Sequence, residues 1–165
     1  MRLIDWDDEL ATKTYNDFKY FKKSGKERTE KSINGFVGEA LVEKHFNQPI
    51  VYDRDHEDDG WDMIIDDKKY NIKCAITNIR WFGSSSSLFS VNAHKGLLSD
   101  YYLFCQMDPK NKQIALCGYL SKAEVILLGR FYKEGSHITE TLLAEHDFYS
   151  LQLSDLHPIN AEREF

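Results

Sequence analysis

The segment Trp61-Asp62-Met63-Ile64-Ile65-Asp66-Asp67-Lys68-Lys69-Tyr70-Asn71-Ile72-Lys73 alternates apolar and polar residues on both sides of a short charged stretch. That pattern predicts two strands joined by a tight polar turn. With Asp67 and Lys68 in a two-residue turn, Asp66 pairs with Lys69, Ile65 with Tyr70, Ile64 with Asn71, Met63 with Ile72 and Asp62 with Lys73. Side chains along a strand alternate faces, so Trp61, Met63 and Ile65 join Tyr70, Ile72 and Cys74 on an apolar face. Asp62, Asn71 and Lys73 share the opposite one. An acid facing a base across a hairpin contributes only roughly 0.2–1 kcal/mol, so the pair by itself says nothing about catalysis.

Upstream of the hairpin, Ile33, Phe36, Val37, Ala40, Leu41 and His45 recur at steps of three and four, which predicts a helix from about Thr29 to Phe46 packed on a sheet. Glu39 falls on the flank of that stripe, roughly 100–120° from its centre at 100° per residue, where a carboxylate looks along the helix–sheet seam. Glu43, one turn later, reads as a solvated helix residue. An earlier helix is expected from about Asp5 to Lys22, on the spacing of Trp6, Leu10, Phe18 and Phe21, with Ser24-Gly25 ending it. Ile50 to Tyr52 reads as a short strand, followed by the acidic loop Asp53 to Gly60.

Downstream, Ser84 to Ser87 read as a loop, Leu88 to Val91 as a strand, and Asn92 to Ser99 as a short helix capped by Asn92. The continuous apolar run Tyr101 to Cys105 predicts a buried strand, which Asp108-Pro109-Lys110-Asn111 turns into another at Gln113 to Leu120. Ser121-Lys122-Ala123-Glu124 matches a capping box, so a helix starts at Ser121. Asp147 to Leu153 closes the pattern as a strand.

A chain of 165 residues, 42% of them hydrophobic, suits one α/β domain with a proper core. The expected architecture is a mixed central sheet of about four or five strands flanked by helices, spanning residues 1–165. Cys74, Cys105 and Cys117 are odd in number and widely spaced, which suggests neither a disulfide framework nor zinc. The acidic N-terminus lacks the apolar run of a signal peptide, and nothing approaches the roughly 20 apolar residues that span a bilayer. A soluble, cytoplasmic protein with no membrane partner is expected. A formal charge of −6 argues against indiscriminate nucleic-acid binding, yet a metal-dependent nuclease concentrates carboxylates at its own site.

The order of these parts carries a resemblance: a helix with Gly38-Glu39, a strand with Gly60-Trp61-Asp62, a turn, a strand with Asn71-Ile72-Lys73, then a strand opening Asp100-Tyr101-Tyr102. It resembles the PD-(D/E)-x-K nuclease superfamily, restriction endonuclease-like proteins that also include Holliday-junction resolvases, over roughly residues 33–120. The resemblance implies a restriction-endonuclease-like core and metal-dependent endonuclease activity on the phosphodiester bonds of DNA, with DNA rather than RNA as substrate. It makes Glu39 and Asp62 ligands of Mg2+ or Mn2+, adds the Ile72 carbonyl as a further ligand, and makes Lys73 the catalytic lysine. Many enzymes of this type cut both strands as dimers, so a homodimer is raised, although no interface is legible. The chain departs from the pattern at Asn71, where an acid is expected; its amide oxygen can ligate a metal but brings no charge. The missing charge then falls to Glu39 or to Asp58-Asp59, or else the fold is catalytically silent and serves as a nucleic-acid-binding or protein-assembly module.

The chemistry explains why these residue types belong together. Magnesium is hard, takes oxygen ligands and leaves positions for water and phosphate. It lowers the pKa of bound water and offsets charge developing on the scissile phosphate, and a lysine beside that water stabilises the transition state. Arg80, Trp81, His94 and Lys95 are candidate substrate contacts, since a cation beside an aromatic pair suits a phosphate and an unstacked base. Rival motifs are weaker. The stretch from Asp55 to Asp66 imitates a calcium loop but carries Asp62 where an apolar residue belongs, and the six histidines show no zinc spacing.

Overall fold

A computed structural model describes residues 1–19, 29–48, 61–84, 88–94 and 96–159. Its centre is the apolar run foreseen in the sequence. Strand β5 (Tyr101–Asp108) is buried along nearly its whole length, and β6 (Gln113–Ser121) returns antiparallel beside it. On the other side of β5 lies β3 (Lys68–Ile76), parallel to it from Tyr70↔Tyr101 to Ile76↔Met107. The short strands β1 (Arg2–Ile4) and β2 (Met63–Ile65) complete a five-stranded mixed sheet in the order β1-β6-β5-β3-β2. The molecule is thus mixed α/β.

Alternation sends β3 and β5 side chains into two separate cores. Tyr70, Ile72, Leu103, Cys105 and Met107 pack on one face against Val37, Leu41 and Val42 of α2 (Glu30–His45). Helix α1 (Asp8–Lys19) lies against α2, with Phe18 stacked on Phe36 at 4.1 Å. On the opposite face, Tyr102 and Phe104 pack against Phe89, Val91, Val125 and Leu151. There the cover is a second sheet, β4 (Leu88–Asn92), β8 (Phe148–Gln152) and β7 (Arg130–Tyr132) in the order β4-β8-β7, joined by the short helix α3 (Lys122–Leu128). Helices therefore dominate only one side, where the sequence reading expected them to flank the sheet. The long apolar runs of β5 and β6 predict burial on both faces, but not whether helix or sheet provides it.

The hairpin forms with its faces as predicted and its register moved. The observed pairs are Met63↔Tyr70, Ile64↔Lys69 and Ile65↔Lys68. Asp66 and Asp67 are the turn residues, at φ 49° and 60°. A two-residue turn of this hand needs positive φ at both central positions, which aspartate tolerates better than lysine does. Because the pairing moves by an even step, Met63 and Ile65 stay on the core face with Tyr70 and Ile72. Continuing this register sets Asp62 across from Asn71, so the expected Asp62–Lys73 pair does not form.

Other local predictions divide by how local their cause is. Thr29 caps α2 by accepting from Ser32 N–H at 3.2 Å, and Ser121 and Glu124 form the capping box foreseen for α3. Helix α1 starts at Asp8 rather than Asp5, because Asp7 accepts from Leu10 N–H at 2.9 Å and ends the non-helical lead. Asn92 belongs to β4 and accepts from His94 N–H, so it caps only a turn; a 3-10 turn at Gly96–Leu98 stands where a helix was expected. The expected strand at 50–52 and the acidic loop at 53–60 lie outside the described residues.

Gly38 lets α2 approach β3. A Cβ there would stand 2.4 Å from Cys74 Sγ and 2.9 Å from Cys74 Cβ, so alanine requires the helix to lift. Alanine's better helix propensity is outweighed by that overlap. Gly38→Ala is expected to lose about 1–3 kcal/mol in urea unfolding, and Cys74→Ala added to it should recover part of the loss; no recovery would mean that the two do not touch. Glu124, which accepts from Ser121 and sits 2.6 Å from His157 Nε2, is held down to about 2 by those bonds, His157 first. Its contribution is present above the ordinary carboxylate range and fades as pH falls toward 2. Glu124→Ala should cost about 1 kcal/mol at neutral pH, and an unchanged melting temperature would refute that.

Candidate active site at the edge of strand β3

Asp62 precedes β2 by one residue and does not simply extend the ladder. Its N–H donates to Tyr70 O at 2.8 Å, and its Oδ2 accepts from Ile72 N–H at 2.5 Å. The carboxylate thus takes the place that a strand carbonyl would occupy beside β3. A strand residue points its N–H and C=O to the same side. The Ile72 carbonyl therefore faces the same edge as the N–H that Asp62 holds.

The two helix carboxylates divide unexpectedly. Glu39 is half-buried, and its charge is felt at Cys105 as one of the smaller influences on that buried thiol. Glu43, expected at the surface, is only 6% exposed. Its Oε2 is buried and accepts no hydrogen bond among the described residues. Burial first, and the charge of Asp62 second, push its carboxyl up to about 8. The charge of Asp62 on the hairpin is thus felt at Glu43 on α2. Helical periodicity missed Glu43 because its cover comes from the hairpin, which lies well downstream in sequence. A faint signal existed: the run Ala40-Leu41-Val42 just before it has no polar break.

Asn71 and Lys73 leave β3 on the face away from α2. Their partners across β5 are Tyr102 and Phe104, which belong to the second core. Asn71 is buried and Lys73 half-buried. The structure thus joins the Asp62 carboxylate to Ile72 N–H at the β3 edge, with Asn71 and Lys73 on the face of that strand away from α2. Among the described residues, no three His, Cys, Asp or Glu side chains gather as a metal-binding group.

The expected substrate contacts are surface residues of different kinds. Arg80 and Trp81 occupy a 3-10 turn, Ile79–Trp81, just beyond β3; both are exposed, Trp81 by 62%. Two buried side chains of β5 pin this turn: Asp108 Oδ2 accepts from Ile79 N–H at 2.7 Å, and Gln106 Oε1 from Gly83 N–H at 2.9 Å. A cation and an indole are therefore presented on a fixed loop. His94 is exposed in a turn, with Nε2 3.2 Å from Asp147 Oδ2. Lys95 lies outside the described residues. A second cation and indole meet at the hairpin, where Lys69 Nζ stands 5.5 Å from the centre of the Trp61 ring.

No family model, no curated protein and no solved structure matches the chain. None of the described helices is long and apolar enough to cross a membrane.

Glu43 makes stability depend on pH in a defined direction. Its carboxyl ionises near 4.5 in an unfolded chain and near 8 when folded. Between those values the folded state holds more protons, so stability falls as pH rises across that window and levels above it. Urea unfolding in chelator at pH 5 and pH 8.5 should show a smaller loss for Glu43→Gln than for the wild type; an equal loss in both would remove Glu43 as the cause.

Proposed function

We propose that the protein is a metal-dependent endonuclease that hydrolyses phosphodiester bonds of DNA, with a restriction-endonuclease-like core and Mg2+ or Mn2+ as its ion. The observation that carries the reading is the fixed Asp62 carboxylate on Ile72 N–H, one residue before Lys73 on the same strand. That spacing sets an anionic ligand, an edge carbonyl and a cation along a single stretch of β3. When bound, the ion supplies Lewis acidity toward a phosphate oxygen and a more acidic water. The chain's own groups do the remaining work. Asp62 anchors the ion's position, Glu39 adds charge from α2, and Lys73 contributes a positive charge toward the phosphate and the attacking water. Arg80 and Trp81 offer a phosphate contact and a stacking surface on the pinned turn.

The second reading, a silent fold that binds nucleic acid or another protein, is favoured by one residue. Asn71 is buried and neutral at the position where the resemblance calls for an acid. Supercoiled and linear DNA, incubated with the protein in Mg2+, Mn2+ or chelator, distinguish the two. Cutting is expected only with metal, and Asp62→Ala and Lys73→Ala should each reduce it by at least about a hundredfold. Folded protein that leaves DNA intact under every condition would support the silent module instead. Gel filtration of the active preparation tests the accompanying expectation of a homodimer.

A further inference from the structure

Cysteine spacing along the chain points to no crosslink, but the sheet sets two of the thiols side by side. Cys74 of β3 and Cys105 of β5 are direct register partners in the parallel pairing. Direct partners share a face, and here it is the α2 side: Cys105 belongs to the core beneath α2, and Cys74 packs against that core. Gly38 of α2 locates the Cys74 sulfur further, since a Cβ on it would stand 2.4 Å from Cys74 Sγ. Cys117 of β6 lies in the opposite core with Phe104 and Leu120, so the sheet separates it from the other two. Neighbouring strands run about 4.8 Å apart, inside the roughly 4.4–6.8 Å between the Cα atoms of a disulfide. Both partners are free thiols.

The two partners differ in access. Cys105 is wholly buried, whereas Cys74 is half-buried. Strand β2 pairs no further along β3 than Tyr70, and Asp62 reaches only to Ile72 N–H, so among the described residues no strand covers the β3 edge at Cys74. Burial first, and a hydrogen bond with Cys74 second, push the Cys105 thiol up, which leaves it inert toward oxidants on its own. We propose that Cys74 and Cys105 are a peroxide-responsive thiol pair, in which Cys74 is the sulfur oxidised and Cys105 the one that resolves it into a disulfide. The Cys74 sulfur attacks hydrogen peroxide; the O–O bond breaks, an S–O bond forms, the sulfur is oxidised to a sulfenic acid, and the reduced oxygen leaves as water. The Cys105 sulfur then attacks that of Cys74; the S–S bond forms as the S–O bond breaks, and the hydroxyl leaves with the Cys105 proton as a second water. Resolution protects the packing: α2 sits directly on Cys74 at Gly38, where a sulfinic acid would drive two oxygens against the helix. The inference stands apart from the nuclease reading.

Its test reads the sulfurs directly. Folded, reduced full-length protein is treated with hydrogen peroxide, remaining thiols are capped with N-ethylmaleimide during unfolding in urea, and digested fragments are mapped by mass spectrometry. Two of the three thiols should be lost, with the Cys74 fragment joined to the Cys105 fragment of the same chain and Cys117 capped. In Cys105→Ala, whose folding is checked by circular dichroism, sulfinic acid at Cys74 should accumulate at least about tenfold faster than in the wild type. Should that variant fail to fold, Cys74→Ala must leave Cys105 and Cys117 both capped after the same treatment. A link to Cys117, a link between two chains, sulfinic acid forming at Cys74 as fast in the wild type as in Cys105→Ala, or no loss of thiols overturns the proposal.

Discussion

The parallel pairing of β3 with β5 is the constraint on which the rest depends. Parallel strands need cover on both faces, and these two receive it from different sources: helices α1 and α2 on one side, and the β4-β8-β7 sheet with α3 on the other. Because β3 is shared between the two cores, each of its residues is committed by parity. Ile72 and Cys74 must face α2, and Asn71 and Lys73 must face away. A residue of β3 cannot change sides without turning the whole strand over. The chemistry proposed for the site therefore has to operate across the strand's edge, where groups from both faces can approach one ion.

Asp62 is what makes that edge special. By accepting from Ile72 N–H, it ends the β2 ladder one residue early and puts a carboxylate where sheet hydrogen bonding would otherwise continue. The cost of such a position is charge held against a partly buried edge, and Glu43 adds to it. A buried carboxyl that also feels another acid's charge is unfavourable for the fold alone. Arrangements of that kind recur at functional sites, where perturbed carboxyls are set by burial and by a named charged neighbour. The turn bearing Arg80 and Trp81 shows the same division of labour, since buried Asp108 and Gln106 of β5 hold it while its side chains face solvent.

Legibility in the sequence followed the range of the interaction. Helix α2 was readable because its stripe, Ile33, Val37, Ala40 and Leu41, repeats within the element itself, and α3 because Ser121 and Glu124 cap each other three residues apart. The hairpin's faces were readable from alternation, but its register depended on which residues tolerate positive φ, and Asp66-Asp67 took the turn. Strands β1 and β7, three residues each, carry too few alternations to rise above background and form because β6 and β8 offer them an edge. Asn92 looked like a helix cap because capping chemistry is the same for a single turn as for a helix.

By itself, the sequence determined the α/β class, the central buried strands, the parity of β3 and the proximity of Asp62 to the Asn71-Ile72-Lys73 stretch, since each follows from short-range pattern. Only tertiary structure decided that a second sheet covers the far face, that Asp62 bonds Ile72 N–H instead of facing Lys73, and that Glu43 is buried. The physical reason is the same in each case. Periodicity along a chain reports how a segment divides its own surface, whereas burial of a second face depends on segments that arrive from elsewhere, and their identity is written in no local repeat.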